Sequence, residues 1–105
     1  MYSTTPTLED AKRIAHALVS EQLVACVNIQ PNIISVYSWD GKVEESGEVL
    51  LMMKTTQMLM DRVTERIRQL HSYEVPESIG VRVEDEGGSR QYMDWVRDST
   101  RKDST

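Results

Sequence analysis

The sequence predicts an α+β domain in which strands and helices follow the order β-α-β-β-α-β, with one further helix at the end. Three observations support this order. Apolar residues recur at helical spacing in two segments, strand-like apolar runs flank these segments, and Asp40-Gly41 separates two of the runs. An Asp-Gly pair in that place is typical of a two-residue hairpin turn. Two βαβ units joined by a hairpin give an antiparallel sheet with helices on one face, which is the ferredoxin-like sandwich.

The first βαβ half begins with a short strand over residues 1–5, which Pro6 ends. In the ferredoxin-like arrangement this strand is central. Thr7 predicts the start of a helix that runs to about Gln22, because its hydroxyl oxygen can accept a hydrogen bond from a free backbone N–H. The apolar stripe of this helix consists of Leu8, Ala11, Ile14, Ala15, Leu18 and Val19.

The hairpin is the longest predicted feature. Its outgoing strand covers residues 23–29 and 33–39, interrupted at Pro31, and its returning strand covers residues 42–55. Gly47 predicts a β-bulge in the returning strand, since a glycine inside a strand pattern often marks one.

A second helix follows the hairpin. Thr55 or Thr56 can cap it, and it runs to about Leu70. Four apolar side chains at helical spacing form its buried face: Leu59, Val63, Ile67 and Leu70.

The last predicted strand covers residues 78–84, where apolar and polar residues alternate. Its inward side chains are predicted to be Ile79, Val81 and Val83. Gly87-Gly88 then breaks the chain, Ser89 caps a short final helix that carries Tyr92, Met93 and Val96 on its apolar stripe, and residues 100–105 form a tail.

The composition fits a single soluble domain, which we assign to residues 1–105. The net charge is −5 and the basic residues are interleaved with acids, which argues against nucleic-acid binding. One cysteine cannot form an internal disulfide, so a cytoplasmic location is expected. No apolar run approaches the roughly 18 residues that a membrane-spanning helix needs.

Both faces of the hairpin strands are apolar. Val49, Leu51 and Met53 alternate with Leu50 and Met52, and the outgoing strand repeats the pattern. Such strands are normally buried on both sides, whereas two helices cover only one face of a sheet. The other face would be an apolar patch on the order of several hundred Å². We therefore expect the chain to self-associate, in a number of copies that this argument leaves open.

Three segments resemble the CutA family of divalent-cation tolerance proteins. They are CVNIQPNIISVYSWDGKVEESGEVLLMMKT (26–55), HSYEVPE (71–77) and YMDWV (92–96). Within residues 25–55, the residues with family-like spacing are Ala25, Cys26, Val27, Asn28, Ser35, Tyr37, Trp39, Gly41, Lys42, Glu48, Lys54 and Thr55. The resemblance covers nearly the whole chain, from residue 3 to about residue 96.

The resemblance implies a trimer of ferredoxin-like subunits assembled through the long hairpins. It also implies a role in tolerance of copper or another divalent cation and, for an animal homologue, a link to the anchoring of acetylcholinesterase. Family members assigned copper binding carry a cysteine in the first strand and a His-His pair before the Pro-Tyr of the second motif. Here those positions are Ser3 and Leu70-His71, and Ser72 replaces the proline. The copper site of the family therefore carries over only at His71.

The HSYEVPE segment has two interpretations. Val75 is held extended by Pro76, so the segment is a joint between a helix and a strand, with His71 near the last-turn carbonyls. Alternatively, it forms one wall of a ligand-binding cleft between copies. That candidate cleft consists of Trp39, Lys54, His71, Tyr73, Glu74 and Glu77. His71 is also the candidate metal ligand, although zinc or copper needs about three or four donors.

Other chemically distinctive residues are given structural roles. Cys26 is expected to be a small core residue and His16 to lie on the surface. Lys54 can bind an anion or pair with Glu48 or Glu77, and pairing is preferred. The aromatic residues predicted to be core or interface anchors are Tyr37, Trp39, Tyr92 and Trp95. Met52 and Met53 point to opposite faces of a strand, so core packing is preferred over soft-metal binding.

Three functions remain open. The first is a non-catalytic trimer that binds a cation or small ligand and takes part in metal tolerance. The second is an enzyme in which His71 works with Glu74 or Glu77 in acid–base chemistry. The third is a small-effector sensor that resembles the PII signalling trimers. The first is preferred, because the sequence has no phosphate loop and no nucleophile motif.

Overall fold

The computed structural model describes residues 1–84 and 88–102. It contains a three-stranded antiparallel sheet in the order β1-β3-β2, where β1 is Tyr2–Thr5, β2 is Cys26–Trp39 and β3 is Lys42–Lys54. The helices are α1 (Leu8–Ser20), α2 (Met60–Leu70) and α3 (Arg90–Asp98), and a 3₁₀ turn over Gln57–Leu59 leads into α2. This is the predicted ferredoxin-like α+β fold with a long β2–β3 hairpin and a C-terminal helix.

The first helix begins where the sequence predicts it. The Thr7 hydroxyl accepts a hydrogen bond from the Asp10 backbone N–H at 3.1 Å, and Asp10 adds negative charge at the positive end of the helix. Four residues of the predicted stripe are buried: Ala11, Ile14, Ala15 and Leu18. Leu8 and Val19, at the two ends of the stripe, are exposed, so the buried face of the helix is shorter than the predicted stripe.

The predicted last strand is reduced to a single bridge. Tyr2 and Ile79 exchange backbone hydrogen bonds of 2.8 and 3.0 Å, which places residue 79 on the free side of β1 and makes β1 central. The rest of 78–84 is not a strand, and Ile79, Val81 and Val83 are at least half exposed rather than inward. The prediction used only the alternating pattern, which does not reveal whether another strand is available to pair with it.

The hairpin turn is confirmed. Asp40 and Gly41 both have positive φ angles, 50° and 76°, as a type I′ turn requires, and Trp39 pairs with Lys42 beside it. β2 is one continuous strand, although Pro31 lies inside it.

The bulge lies in β2 rather than at Gly47. Gly47 pairs regularly with Ile34, whereas the register shifts by one residue between Gln30 and Ile33. Asn32, in this interval, has a φ of 62°, a left-handed conformation that asparagine tolerates better than most residues. The prediction used glycine as the signal and overlooked the Pro-Asn pair.

The second helix has the predicted extent but not the predicted cap. Thr56 precedes the 3₁₀ turn without a side-chain hydrogen bond, and the Thr55 hydroxyl donates to the Leu23 carbonyl at 2.7 Å. Leu59, Val63 and Ile67 are fully buried, as their spacing predicts. The cap of α3 is confirmed, because the Ser89 hydroxyl accepts from the Tyr92 backbone N–H at 3.3 Å.

The core lies between the sheet and helices α1 and α2. Met53 is 1% exposed on this covered face, whereas its neighbour Met52 is 37% exposed on the opposite face, which we call the open face. By the strand register, the open face at the base of the sheet carries Tyr2, Cys26, Asn28, Gln30, Leu50, Met52 and Lys54.

Two predicted features fall wholly or partly on residues outside the described ranges. Gly87 of the predicted Gly87-Gly88 break lies outside them, as do residues 103–105 of the predicted tail. Within the described part of the chain, no helix is both long and apolar enough to cross a membrane.

Candidate functional site

His71 marks the point where α2 ends. Its backbone N–H donates to the Ile67 carbonyl at 2.8 Å, and its own backbone is extended, so the chain leaves the helix there. The side chain is only 9% exposed. Its Nε2 lies 2.6 Å from the Thr4 carbonyl oxygen, and its Nδ1 lies 3.0 Å from the Tyr73 backbone nitrogen.

These two contacts define the state of the imidazole. The Tyr73 N–H must donate to Nδ1, which therefore carries a lone pair, so Nε2 carries the proton and donates to Thr4. The ring thus ties the end of α2 to the central strand β1. A metal ion could bind either nitrogen only by replacing one of these hydrogen bonds.

Tyr73 connects this joint to the hairpin. Its ring centroid lies 4.7 Å from that of His71, and its hydroxyl donates to Glu48 Oε2 at 3.1 Å. The last β1–β3 pair joins Thr5 to Val49, and Glu48 is the next residue of β3 toward the hairpin turn. The Tyr73–Glu48 pair therefore lies where the hairpin begins to extend past the sheet.

Tyr73 is partly buried next to negative charge. Partial burial raises the pKa of the Tyr73 phenol, and the hydrogen bond to Glu48 and the negative charge of Glu48 raise it further. Tyr37 and Asp10 contribute to the same increase in pKa. The phenol therefore stays protonated and acts as a hydrogen-bond donor, and the negative charge of the adjacent Glu48 carboxylate is what would favour a positively charged ligand.

Glu74 and Glu77 do not join this group within one chain. Both are exposed, and neither makes a hydrogen bond or ion pair with any residue that the structure describes. The acid–base interpretation requires a carboxylate within reach of His71, but the structure instead surrounds the His71 ring with the backbone of Thr4 and Tyr73.

Trp39 and Lys54 lie at opposite ends of the hairpin. Trp39 pairs with Lys42, six residues from Glu48 along β3, and Lys54 lies six residues from Glu48 in the other direction. Each is therefore about 20 Å from Glu48 at the usual rise of a strand. A single copy cannot gather the six predicted cleft residues, so Trp39 and Lys54 can reach the Tyr73 region only from another copy.

Lys54 belongs to a second polar cluster, at the base of the open face. Its ammonium group donates to Asn28 Oδ1 and lies 3.6 Å from Cys26 Sγ, so the predicted pairing with Glu48 or Glu77 is wrong. Cys26 is half-buried on the open face rather than in the core, and its sulfur lies 3.6 Å from the Tyr92 hydroxyl. The contact with Cys26 is the main cause of a raised pKa of Tyr92.

The four aromatic anchors are not core residues of the single chain. Trp39 is 69% exposed at the hairpin tip, and Tyr37, Tyr92 and Trp95 are also exposed. Their exposure is compatible with the other predicted role, that of anchors in an interface between copies. His16 is exposed on α1, as predicted.

The described residues of one chain do not form a metal site. Across residues 1–84 and 88–102, no group of three or more His, Cys, Asp and Glu side chains is arranged to hold an ion. Ser3, at the position of the family cysteine, is buried on the covered face, and its hydroxyl has no hydrogen-bond partner among these residues. The residues of one chain therefore do not fit a complete copper site.

The sequence-based prediction missed the main contact of the site. Glu48 is predicted as one of two possible partners of Lys54, but in the structure it accepts a hydrogen bond from the Tyr73 hydroxyl. Asn28 and Tyr92 were not predicted to contact Lys54 and Cys26. The alternation of side chains along the strands could have placed these residues together, since Asn28, Glu48 and Lys54 all fall on the open face once the bulge in β2 is taken into account.

The chain matches known proteins over most of its length. Residues 1–99 match the sequence profile of a family described as CutA1 divalent ion tolerance protein. The chain is 45% identical over 97 residues to the divalent-cation tolerance protein CutA of Thermus thermophilus, with 92% of each chain covered. It is also 45% identical over 102 residues to the chloroplastic Protein CutA 1 of Oryza sativa, covering 97% of this chain but 56% of the rice protein.

Solved structures show the same fold. The crystal structure of CutA1 from Oryza sativa superposes with a TM-score of 0.92 at 45% identity, covering 97% of this chain and 92% of that one. A structure described as PII-like protein CutA from Nostoc sp. PCC 7120 in apo form has a TM-score of 0.87 at 41% identity, with 95% of this chain and 94% of that one covered.

Proposed function

Because the chain belongs to the CutA1 divalent ion tolerance family, we propose that it is a homotrimer that binds a cation in the clefts between its copies. The observation that carries this proposal is the Tyr73–Glu48 pair at the edge where the hairpin overhangs the sheet. Glu48 supplies negative charge there, and together with partial burial, the larger cause, it raises the pKa of Tyr73. The family membership makes a divalent metal ion the first candidate.

The second copy is needed to complete this cleft. The exposed hairpin tip is rich in apolar side chains: Ile34, Val36, Tyr37, Trp39 and Val43. If the hairpin of one copy lies against the sheet edge of the next, Trp39 comes to the Tyr73–Glu48 pair of its neighbour. An aromatic ring beside a carboxylate is a favourable environment for a cation.

Oxygen donors are better placed for this role than the His71 imidazole. Glu48 lies in the cleft, and Glu74 and Glu77 are exposed on the adjoining segment. Both nitrogens of His71 are already hydrogen-bonded, so we assign His71 to positioning Tyr73. Carboxylate ligands suit ions such as Mn²⁺, whereas Cu²⁺ also takes imidazole readily.

We propose a binding role rather than a catalytic one. The support is that both imidazole nitrogens are hydrogen-bonded to backbone groups, so neither is free to act as a general base toward a ligand. The cytoplasmic location also remains a proposal, which subcellular fractionation tests.

Calorimetric titration of the assembled protein with Mn²⁺ and, separately, Cu²⁺ tests the cation site. Glu48→Gln is expected to weaken binding of the preferred ion by about tenfold or more, because it removes the central negative charge. Glu65→Gln, an exposed carboxylate on α2, is the matched control and is expected to bind as the wild type does. Equal affinities of Glu48→Gln and the wild type would remove Glu48 from the site.

The same titration separates the two assignments of His71. His71→Asn is expected to retain the affinity for the ion once the fraction of folded protein is taken into account. Loss of Cu²⁺ binding in His71→Asn together with full binding in Glu48→Gln would contradict our assignment and make the imidazole a ligand.

A small-effector sensor is the second candidate function, and the likeness to the PII-like CutA structure favours it. An effector at a hundredfold excess over its dissociation constant would stabilise the protein by about 2.7 kcal/mol. Thermal denaturation with a metabolite set in the presence of EDTA distinguishes this function, since an organic effector would stabilise the protein without a metal ion.

A further inference from the structure

A cavity of about 200 Å³ lies on the helical side of the molecule, between the end of α1 and the adjacent face of α2. Leu23 contributes to its apolar wall. Its polar and charged lining consists of Glu21, Arg62, Glu65, Arg66, Gln69 and Arg101. Three guanidinium groups and two carboxylates around one cavity leave it with a formal charge of +1, although the whole chain carries −5.

Arg66 is held in place by its neighbours. Its Nε and Nη2 donate to the Glu21 carboxylate at 2.9 and 3.0 Å, and its Nη1 donates to Gln69 Oε1 at 3.0 Å. This bidentate pair links α2 to the residue that follows α1. The negative charge of Glu21 is therefore compensated within the wall of the cavity.

The second carboxylate is also compensated. Glu65 accepts hydrogen bonds from Arg68 Nη2 at 2.5 Å and Nε at 3.0 Å, and the bond from Arg68 is the main cause of a lowered pKa of Glu65. Because Glu21 and Glu65 each have an arginine partner, neither is available to neutralise Arg62.

Arg62 lacks a comparable partner. Its Nη1 is buried and has no hydrogen-bond acceptor among the described residues. A guanidinium group stays charged at any physiological pH, and a buried donor left without an acceptor is unfavourable. Arg62 and Arg66 are also like charges four positions apart on one helix face, an arrangement that destabilises a helix. An acceptor from outside the chain would compensate both effects.

We propose that this cavity binds a phosphate-class oxyanion, either free phosphate or the phosphate group of a small metabolite. Arg62 is the principal ligand, Arg101 flanks the ion, and Arg66 contributes positive charge from its fixed position. A tetrahedral oxyanion presents acceptors in several directions, which suits a cavity with guanidinium groups on different walls. The cavity is separate from the Tyr73–Glu48 cleft, and the helices place it away from the open face, so self-association through that face leaves it accessible.

Titration with inorganic phosphate, against chloride at matched ionic strength, tests the proposal by calorimetry and thermal denaturation. The wild type is expected to bind phosphate and to melt at a higher temperature in its presence. Arg62→Gln is expected to lose affinity by about tenfold or more, since it removes the charge and the unpaired donor. Without phosphate, Arg62→Gln is expected to melt no lower than the wild type, which excludes misfolding as the cause.

Two further variants complete the experiment. Arg13→Gln, which removes an arginine paired with Asp10 away from the cavity, is the matched control and is expected to bind phosphate as the wild type does. Arg62→Lys keeps the charge but loses the planar fork, so its affinity is expected to fall between those of Arg62→Gln and the wild type. Binding of phosphate by Arg62→Gln as tightly as by the wild type, or no binding by the wild type, would overturn the proposal. A glucose-phosphate titration then separates the two sources of the oxyanion: tighter binding than that of phosphate favours a phosphorylated metabolite, and weaker binding favours free phosphate.

Discussion

Tyr73 shows how one side chain joins three parts of the molecule. Its backbone N–H holds the His71 imidazole, its ring packs on that imidazole, and its hydroxyl reaches Glu48 on the hairpin. The sequence predicted that His71 would end a helix, which is correct. It did not predict that the ring would bind Thr4, because a contact across 67 residues leaves no local signal.

The raised pKa of Tyr73 predicts a pH effect on stability. In an unfolded chain the phenol loses its proton around its ordinary pKa of 10.0, whereas in the folded state it keeps the proton to a higher pH. This contribution to the free energy of unfolding is therefore complete below that pH and is lost as the pH rises through the folded-state pKa. Since the side chain is more than a third exposed, we expect an effect of less than about 1 kcal/mol.

Urea denaturation across the alkaline range measures this effect. The wild type is expected to lose more stability than Tyr73→Phe between about pH 9 and pH 11, since phenylalanine has no proton to release. Val19→Ala, which changes an exposed side chain without a titratable group, serves as the control, and its pH dependence is expected to follow that of the wild type. Parallel curves for Tyr73→Phe and the wild type would show that the Glu48 contact does not form in solution.

At the scale of elements, the bulge in β2 decides which side chains reach the open face. Gln30 pairs with Leu50, but Ile33 pairs with Glu48, so β2 contains one residue more than β3 in this interval. Ile33, Tyr37 and Trp39 therefore share a face with Glu48, whereas regular pairing would turn them to the other side.

Deletion of Asn32 tests a second effect of the bulge, the direction in which the outer hairpin points. Removing the extra residue is expected to restore regular pairing with Ile33 still opposite Glu48, and to remove the bend and the added twist that a bulge gives a strand. The expected result is a folded subunit that no longer forms the wild-type assembly, measured by light scattering after size-exclusion chromatography. Asn32→Gly keeps the residue count and tolerates the positive φ, so it is expected to assemble normally. Normal assembly of the deletion variant would contradict this role.

The elements that sequence predicted well are those defined by local chemistry. Thr7 and Ser89 cap their helices, and Asp40-Gly41 makes the turn, because each acts on neighbouring backbone groups. The predictions that failed concern contacts with distant residues. Residues 78–84 form only a single bridge, to Tyr2, and Lys54 donates a hydrogen bond to Asn28 instead of pairing with a carboxylate. For the candidate cleft the sequence indicated residues but no geometry, since Trp39 and Lys54 lie at opposite ends of the hairpin and the other four residues follow α2.

At the scale of the whole molecule, the distribution of apolar surface indicates an incomplete unit. The helices cover one face of the sheet, while Leu50 and Met52 line a cavity of about 150 Å³ on the open face. The overhanging hairpin exposes large apolar side chains on both of its sides, and the chain extends 43 Å along its longest axis. Exposed apolar surface that is contiguous in this way usually marks an interface.

Met52 and Val19 allow a matched test of this interpretation, because they are similarly exposed, 37% and 41%, on opposite sides of the molecule. Met52→Glu places a carboxylate in the proposed interface, where every copy of the assembly would have to bury an unpaired charge. We expect it to sediment as a monomer at low micromolar concentration, where the wild type sediments as a trimer. Val19→Glu adds the same charge on the outer side of α1 and is expected to leave the trimer intact. If Met52→Glu remained a trimer, the open face would not be the interface, and the cleft that combines Tyr73 and Glu48 with a neighbouring Trp39 would lose its structural basis.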